Sequence, residues 1–201
     1  MSTLLATIKG QDIVQNDDLT FSYMGRADVD ADGSPRAYAP SNSGLPTLDS
    51  LINAKDGDRW CGIVTDSDGY PIVQSQSDPA PGYYVSTTSL QHQEYPKEDP
   101  RRYVDSENVP YAVINGAIAR RCRGIILGSR CTIQDTESGK TIETVVADTG
   151  PSEKLGEMSI KAAALLGLDP SAKTGGSASE QFLYSFFPNQ PAEGFPLQHL
   201  S

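Results

Sequence analysis

Short apolar or alternating runs, each closed by a turn signal, recur along the chain and restrict it to a β-rich fold. Such runs predict strands at residues 61–65, 71–76, 83–89, 110–115, 124–135, 141–147 and 181–187. Turn-forming pairs such as Asp68-Gly69 and Ser138-Gly139 separate some of these runs. The 201 residues include 18 glycines and 14 prolines, which favours an architecture with many turns over a helical bundle.

Two segments carry apolar residues at helical spacing. Residues 44–54 are predicted to form a short helix, and residues 158–168 form the clearest helix in the sequence. Pro170 is predicted to end the second helix, because proline has no amide hydrogen with which to continue it. The sequence therefore predicts a mainly β chain, a β-rich α+β fold with a few short helices.

The charge balance argues against nucleic acid as a partner, and the lack of a long apolar stretch argues against a membrane. Sixteen basic residues stand against 26 acidic ones, which gives a formal net charge of −10. A surface of that sign repels phosphate backbones, so we expect no nucleic-acid binding. No stretch approaches the roughly 20 apolar residues that span a bilayer, so we expect no membrane insertion. The same field would attract a polycation, although a negative surface also serves solubility alone.

The cysteines and histidines do not have the spacing of a metal site. Cys61, Cys122 and Cys131 fit no Cys-x-x-Cys pattern, and His92 and His199 are isolated. We therefore expect no metal ion and no cofactor. Cys122 and Cys131 would bridge a hairpin in an oxidising compartment, and free, partly buried thiols are the favoured alternative.

The beginning of the sequence lacks the basic segment, apolar run and cleavage motif of a Sec signal peptide. We expect a secreted or extracellular protein whose leader has been removed or which uses another export route. A cytoplasmic location is the alternative.

Two acids lie at the ends of the segment in which a predicted strand, a turn and a predicted helix follow most closely on one another. Asp148 follows the strand predicted at 141–147, and Gly150-Pro151 then turns the chain. Glu157 follows at the start of the second predicted helix. Hydrolysis of a glycosidic bond needs such a pair, because one carboxyl group protonates the leaving oxygen while the other activates water or attacks the sugar carbon. The alternatives are an ordinary turn aspartate and an ordinary helix-terminal glutamate.

This arrangement of acids, turn and helix resembles the double-psi β-barrel group, which includes rare-lipoprotein-A-like proteins and membrane-bound lytic transglycosylases. More specifically, the chain resembles the fungal-type chitosanases of glycoside hydrolase family 75 and their bacterial relatives. The matching segments run in order over roughly residues 24–187: DVDADGSPRAYAP, GLPTLDSLINA, IVTDSDGYPIVQ, DPAPGYYVSTTSL, RYVDSENVPYAVI, VVADTGP and GEMSIKAAALLG. Each segment alone is weakly specific, whereas the ordered set covers most of the chain.

The resemblance implies a six-stranded double-psi β-barrel core, with residues 24–187 as the catalytic domain. Residues 1–23 would then be an N-terminal arm or first strand, and residues 188–201 a surface tail. The implied activity is that of an endo-acting chitosanase, which hydrolyses β-1,4-linked glucosamine polymers with inversion. Asp148 would be the base that activates water and Glu157 the acid. The partner would be chitosan or a related amino-sugar polysaccharide, and we expect a monomer.

Three further acids are expected at the edge of the sugar cleft. Asp28, Asp30 and Asp32 alternate as in a calcium loop, but the twelfth position is Ala39, where an EF-hand needs glutamate. We therefore interpret the three acids as a rigid turn that holds glucosamine ammonium groups. Asp30 or Asp32 is also the reserve candidate for a catalytic acid.

Aromatic and hydroxyl side chains complete the predicted site. Trp60, Tyr83 and Tyr84 could stack on sugar faces, although at least one of the two tyrosines is expected in the core. Thr87 and Thr88 belong to a run of hydroxyls that could bond to sugar or satisfy the backbone at a strand end. We expect Tyr84, Thr87 and Thr88 to contact substrate.

Two other functions fit the same expected barrel. A peptidoglycan hydrolase or lytic transglycosylase would cut a different polymer, and as a secreted antibacterial effector it would be accompanied by an immunity protein. A non-catalytic carbohydrate-binding barrel would use the acids for binding alone.

Overall fold

A computed structural model describes residues 2–200 of the chain and shows a mainly β fold. Its strands are β1 (Thr3–Ile8), β2 (Gln11–Gln15), β3 (Phe21–Asp30), β4 (Lys55–Asp56), β5 (Arg59–Trp60), β6 (Tyr111–Asn115), β7 (Ser129–Asp135), β8 (Thr141–Gly150), β9 (Glu157–Ser159) and β10 (Ser177–Pro191). Its helices are α1 (Gly116–Ala119) and α2 (Ile160–Leu166), with 3-10 turns at Leu51–Ala54 and Pro100–Arg102.

Six of the strands close into a barrel in the order β10-β3-β9-β6-β8-β7, with β7 pairing back to β10. The pairs β3–β9 and β6–β8 are parallel, whereas the other four pairs are antiparallel. Mixed pairing of this kind is compatible with a double-psi barrel. The predicted mainly β fold, with a six-stranded barrel and a few short helices, is confirmed.

Aromatic side chains from β3 and β10 form a large part of the barrel core, because alternate residues of a strand point to the same face. Phe21 stacks on Phe186 with ring centroids 4.9 Å apart, and Tyr23 stacks on Tyr184 at 5.5 Å. All four side chains are buried. Full burial of each phenylalanine stabilises the fold by about 1.5–3 kcal/mol relative to exposure.

The N-terminal region is an antiparallel hairpin of β1 and β2 that packs against the barrel. Leu5 and Ile13 are fully buried in the same hydrophobic cluster as the barrel core. The side chain of Gln15 accepts from the backbone N–H of Arg123 and donates to its carbonyl, each at 2.9 Å. These contacts fix the hairpin beside the chain segment that follows α1.

Residues 31–110, between β3 and β6, form an irregular excursion. The strands predicted at 61–65, 71–76 and 83–89 are replaced there by the isolated bridges Ile63↔Ser86, Thr65↔Pro71 and Val73↔Tyr84, so the prediction of continuous strands was wrong. Single hydrogen bonds tie the three runs together, such as those from Ile72 to Val64 and from Val85 to Ile72. The alternating pattern therefore reflects three extended segments packed around a small core of their own.

The helix predicted at 44–54 was also wrong, since only Leu51–Ala54 makes a single 3-10 turn. The backbone N–H groups of Leu48 and Asp49 donate to the carbonyls of Arg36 and Ala37. Those donors are consequently not available for a helical ladder. Of the apolar residues at that spacing, Leu48 and Leu51 pack against the cluster around Tyr38, whereas Ile52 is exposed.

The strands predicted at 110–115, 141–147 and 181–187 are confirmed in β6, β8 and β10, whereas the one predicted at 124–135 is confirmed only from Ser129, where β7 begins. The second predicted helix is confirmed as α2 but is shorter. Ser159 caps its start by accepting from the N–H of Ala162, and Gly167, with φ of 90°, ends it before Pro170. Between residues 2 and 200 the chain contains no helix with the length and apolar character that crossing a membrane requires.

The three cysteines are free, so the alternative of a Cys122–Cys131 bridge is not present. Cys131 lies fully buried in the barrel core, and Cys122 is half-buried. Burial raises the pKa of Cys131 to about 12 and that of Cys122 to about 11. Both thiols are therefore protonated and unreactive at neutral pH.

Candidate active site

A cleft of about 1200 Å³ lies between the barrel and the excursion. Its charged side chains are Asp28, Asp30, Asp32, Asp49, Asp56, Asp148, Glu153 and Glu157 on the acidic side, and Lys55, Lys97, Arg102, Lys154 and Lys173 on the basic side. The acids outnumber the bases. The net charge of the cleft therefore depends on how many of these acids hold protons.

Asp148 and Glu157 lie on either side of one residue of β6. Val113 pairs with Asp148 of β8 and, on its other side, with Glu157 of β9. Directly opposed residues of neighbouring strands point to the same face. Because neighbouring strands are about 4.8 Å apart, the backbones of the two acids are roughly 9–10 Å apart.

A β-bulge in β8 determines the face on which Asp148 lies. Ala112 pairs with Val146, but the next residue, Val113, pairs with Asp148, so Ala147 is an extra residue in β8. The carbonyl of Ala147 accepts from the N–H of Leu90 in the excursion, at 2.8 Å. Without the bulge, Ala147 would oppose Val113 and Asp148 would point to the opposite face.

One carboxylate oxygen of Asp148 is held by three donors. Oδ1 accepts from the N–H and the hydroxyl of Ser89, at 3.0 and 2.7 Å, and from the N–H of Thr149 at 2.8 Å. Within residues 2–200, no donor is hydrogen-bonded to Oδ2. Burial raises the pKa of Asp148 to about 6, and the three hydrogen bonds oppose the rise. Oδ2 is therefore the oxygen left for a ligand or water.

Glu157 lies in β9, three residues before α2, whereas the prediction placed it at the start of the helix. Its side chain is half-buried, and no group between residues 2 and 200 donates a hydrogen bond to the carboxylate. A Cβ at Gly150 would lie 2.9 Å from its Oε2, so glycine leaves room for the carboxylate. Burial raises the pKa of Glu157 to about 7, Lys154 opposes the rise, and the charge of Asp148 adds to it.

Asp30, Asp32 and Asp148 form a close group in which one oxygen of each lies within 4.8 Å of the others. The Tyr111 hydroxyl donates to Asp30 Oδ2 at 3.0 Å, and the Tyr38 hydroxyl donates to Asp32 Oδ1 at 2.7 Å. Burial, and then the charge of neighbouring acids, raises the pKa of Asp30 and of Asp32 well above the usual range. Such a group is neutralised by protons or by a cation, and among residues 2–200 these three acids are the cluster that could hold a metal ion.

Most of the residues predicted to bind substrate line the cleft, namely Asp28, Asp30, Asp32, Thr87 and Thr88. Asp28 and Asp30 belong to β3 and not to the rigid turn that the sequence predicted. The Thr88 hydroxyl is already used within the protein, since it donates to the Leu90 carbonyl at 2.7 Å and accepts from the N–H of Val104 at 3.0 Å. Its side chain therefore supports the cleft wall.

Tyr84 is not among the residues that line the cleft. Its ring packs against Trp60 at 6.2 Å, in the small hydrophobic cluster of the excursion. Tyr83 is buried, and its hydroxyl donates to the Pro46 carbonyl at 2.7 Å. The expectation that at least one of these tyrosines belongs to the core agrees with the position of Tyr83.

Sequence reasoning did not single out Ser89, Tyr38, Tyr111 or Lys154 as parts of the site. Ser89 had a local signal, because it closes the predicted hydroxyl run. The two tyrosines had none, since their partners are acids that come from β3 and the turn after it. Their roles depend on non-local contacts.

Comparison of the sequence with protein-family models and with curated protein sequences gave no match. The barrel and the cleft geometry therefore carry the functional argument. The chain forms a closed six-stranded barrel of parallel and antiparallel strands. Its cleft contains Asp148 and Glu157, which flank Val113 of β6.

Proposed function

We propose that this chain is a glycoside hydrolase that cuts an amino-sugar polymer, with Asp148 as general base and Glu157 as general acid. The observation that carries the proposal is the placement of the two acids on either side of Val113 within one cleft. Both side chains come from barrel strands, which hold them more firmly than loops would.

The spacing of the two acids favours hydrolysis with inversion. Inverting glycosidases keep their carboxyl groups about 6.5–9.5 Å apart so that water fits beside the base, whereas retaining enzymes need about 5–5.5 Å. Two strand spacings, roughly 9–10 Å between backbones, leave room for carboxyl groups at the wider separation. A water bound at Oδ2 of Asp148 would attack the anomeric carbon from the face opposite the leaving oxygen.

Each acid has one proton transfer to perform. Asp148 removes a proton from water as the water oxygen bonds to the anomeric carbon, and Glu157 gives its proton to the glycosidic oxygen as that carbon–oxygen bond breaks. One water is consumed and one reducing end is formed. The reaction needs ionised Asp148 and protonated Glu157, in agreement with pKa values of about 6 and about 7.

The proposed substrate is a β-1,4-linked glucosamine polymer, which is cationic. The close group of Asp30, Asp32 and Asp148 supports this choice, because an ammonium group would neutralise it in place of a proton. The ordered resemblance to family 75 chitosanases supports the same polymer and an endo mode of action.

A second candidate is an enzyme that cuts peptidoglycan, and the cations of the cleft favour it. Lys97 and Arg102 line the same cleft and would bind the carboxylates of that polymer. A lytic transglycosylase would need one acid and would release an anhydro-sugar without consuming water. A secreted effector of this kind would be matched by an immunity protein.

The test is reducing-end release from chitosans of graded acetylation and from purified peptidoglycan, with product ends identified by mass spectrometry. Hydrolysed chitosan ends, with the inverted anomer seen first by proton NMR, would support the first candidate. Anhydro ends from peptidoglycan would support the second. Polymer binding without new ends from either would contradict both and indicate a carbohydrate-binding barrel.

A further inference from the structure

A third acid lies beside Glu157, on the side away from Val113. Asp28 of β3 is the parallel-strand partner of Glu157. The two side chains therefore lie on the same face of neighbouring strands, about 4.8 Å apart at the backbone. The Asp28 carboxylate is ion-paired with Arg26 at 3.4 Å and with Lys154 at 3.9 Å.

Close backbone contact holds these groups together. The N–H groups of Arg26 and Asp28 donate to the carbonyls of Leu155 and Gly156, at 3.1 and 3.2 Å. Gly156 has φ of 91°, and a Cβ at this position would lie 2.1 Å from the Arg26 carbonyl oxygen. Only glycine fits there, so the segment that carries Lys154 and Glu157 is fixed against β3.

The groups that act electrostatically with Glu157 come from every element around it: Asp28, Asp30, Asp32, Asp49, Asp148, Lys154 and the buried Tyr23 and Tyr184. Among these described groups, Lys154 alone is cationic, and it lowers the pKa of Glu157, whereas Asp148, Asp28 and Asp49 raise it. A free ammonium group beside Glu157 would favour the ionised form, which has no proton to give.

We propose that Asp28 is a positioning residue that keeps Glu157 protonated by holding Lys154 in an ion pair. The inference rests on the proposed role of Glu157 as general acid and adds the group that controls its proton. It also changes the expected role of Asp28, because a carboxylate paired with two cations is a poor site for a sugar ammonium group.

Carbon-13 NMR of the full chain, labelled at the glutamate carboxyl groups and assigned with Glu157→Gln, measures the titration of Glu157 directly. Asp28→Asn should lower its midpoint by about half to one pH unit, a modest shift because the ion pair is partly exposed. Lys154→Gln should raise the midpoint by a similar amount, and the double variant should return it close to the wild-type value. Asp28→Glu should preserve that value.

The basic limb of the pH profile of kcat/KM should move with the NMR midpoint in each variant. A midpoint that stays unchanged in both single variants, or rises in Asp28→Asn, would overturn the inference. Should Asp28→Asn fail to fold, Asp28→Ser removes the same charge from this half-buried position, and the direction of its shift decides the question.

The NMR titration needs no substrate, so the two proposals fail separately. Midpoints that move as expected in a protein that cuts neither polymer would overturn the proposed function and leave the control of Glu157 by Asp28 and Lys154 in place. Normal cleavage with an unmoved midpoint and an unmoved basic limb in Asp28→Asn would leave the proposed function in place and overturn the role of Asp28.

Discussion

Ser89 donates both its backbone N–H and its hydroxyl to the same oxygen of Asp148, at 3.0 and 2.7 Å. The two bonds fix the orientation of the carboxylate and favour its ionised form, because a negative oxygen accepts hydrogen bonds more strongly than a neutral one. A residue of the excursion thus controls the charge of an acid on a barrel strand.

Removal of the hydroxyl should therefore raise the pKa of Asp148. In Ser89→Ala we expect the acidic limb of kcat/KM to move to higher pH by about half to one pH unit, since Asp148 must be ionised to act as base. Activity at low pH should fall about three- to tenfold, with little change above the limb. Ser179→Ala, at an exposed position outside the cleft, is the control. An acidic limb that stays in place would argue against Asp148 as the base.

Replacement of either proposed catalytic acid should remove most turnover. Asp148→Asn and Glu157→Gln should each lower kcat by about 10²–10⁴-fold, the usual contribution of general acid or base catalysis. Circular dichroism and the Tm should show that the fold is retained. Asp68→Asn and Glu193→Gln alter exposed acids outside the cleft and should keep full activity. Substantial activity in both site variants would place the chemistry on other groups, with Asp30 and Asp32 the next to test.

A methyl group at Gly150 should displace Glu157 without disturbing the fold. Gly150 does not have positive φ, so alanine suits its backbone, but the added Cβ would lie 2.9 Å from Glu157 Oε2 and 3.1 Å from Val113 Cγ1. We expect Gly150→Ala to lower kcat by about 10–100-fold, because small misplacement of a catalytic group is costly. Its Tm should stay near the wild-type value. Unchanged kcat would show that the position of Glu157 is not critical.

The free energy of unfolding should fall as the pH rises. The cause is that cleft acids of the folded protein keep protons that the unfolded chain has already lost. The folded-state pKa values of Asp30, Asp32, Asp148 and Glu157 are raised, so between about pH 4 and pH 7 the folded state binds more protons, and the linkage slope is negative. Over each pH unit in which one such group is ionised only in the unfolded state, the free energy of unfolding falls by about 1.4 kcal/mol. This corresponds to a fall of roughly 3–5 °C in Tm.

Asp32→Asn isolates one of these contributions. Its Tm should decline less than that of the wild type between pH 5 and pH 8, because the amide does not titrate. The amide oxygen can still accept the hydrogen bond from Tyr38, so the local structure has its donor satisfied. Thermal unfolding across that pH range, with Asp68→Asn as the exposed control, measures the effect. Equal declines in all three proteins would show that Asp32 titrates normally.

The sequence was informative where a local pattern determines the structure. The apolar runs of β6, β7, β8 and β10 and the spacing of α2 predicted those elements, because strand and helix periodicity follow from burial of one face. The same reasoning failed for residues 44–54, where the N–H groups of Leu48 and Asp49 donate to carbonyls of the preceding loop. Regular spacing there did not come with regular hydrogen bonding.

The site was predictable in its residues and not in its geometry. Asp148 and Glu157 stood out because of the turn between them, but their common neighbour Val113 depends on strand order and on the bulge at Ala147. A bulge adds one residue and leaves no distinctive composition. The pairing of Asp28 with Lys154 likewise depends on the parallel register of β3 and β9.

Under the proposed function, the barrel and the excursion between β3 and β6 would perform different tasks. Asp148 and Glu157 come from barrel strands, whereas Lys97 and Arg102 come from residues 31–110. If the proposed function holds, changes near Lys97 and Arg102 that keep Ser89 and Leu90 would alter which polymer enters without moving the acids. A foreign segment grafted only around those two cations would thus redirect polymer choice and leave the support of Asp148 intact.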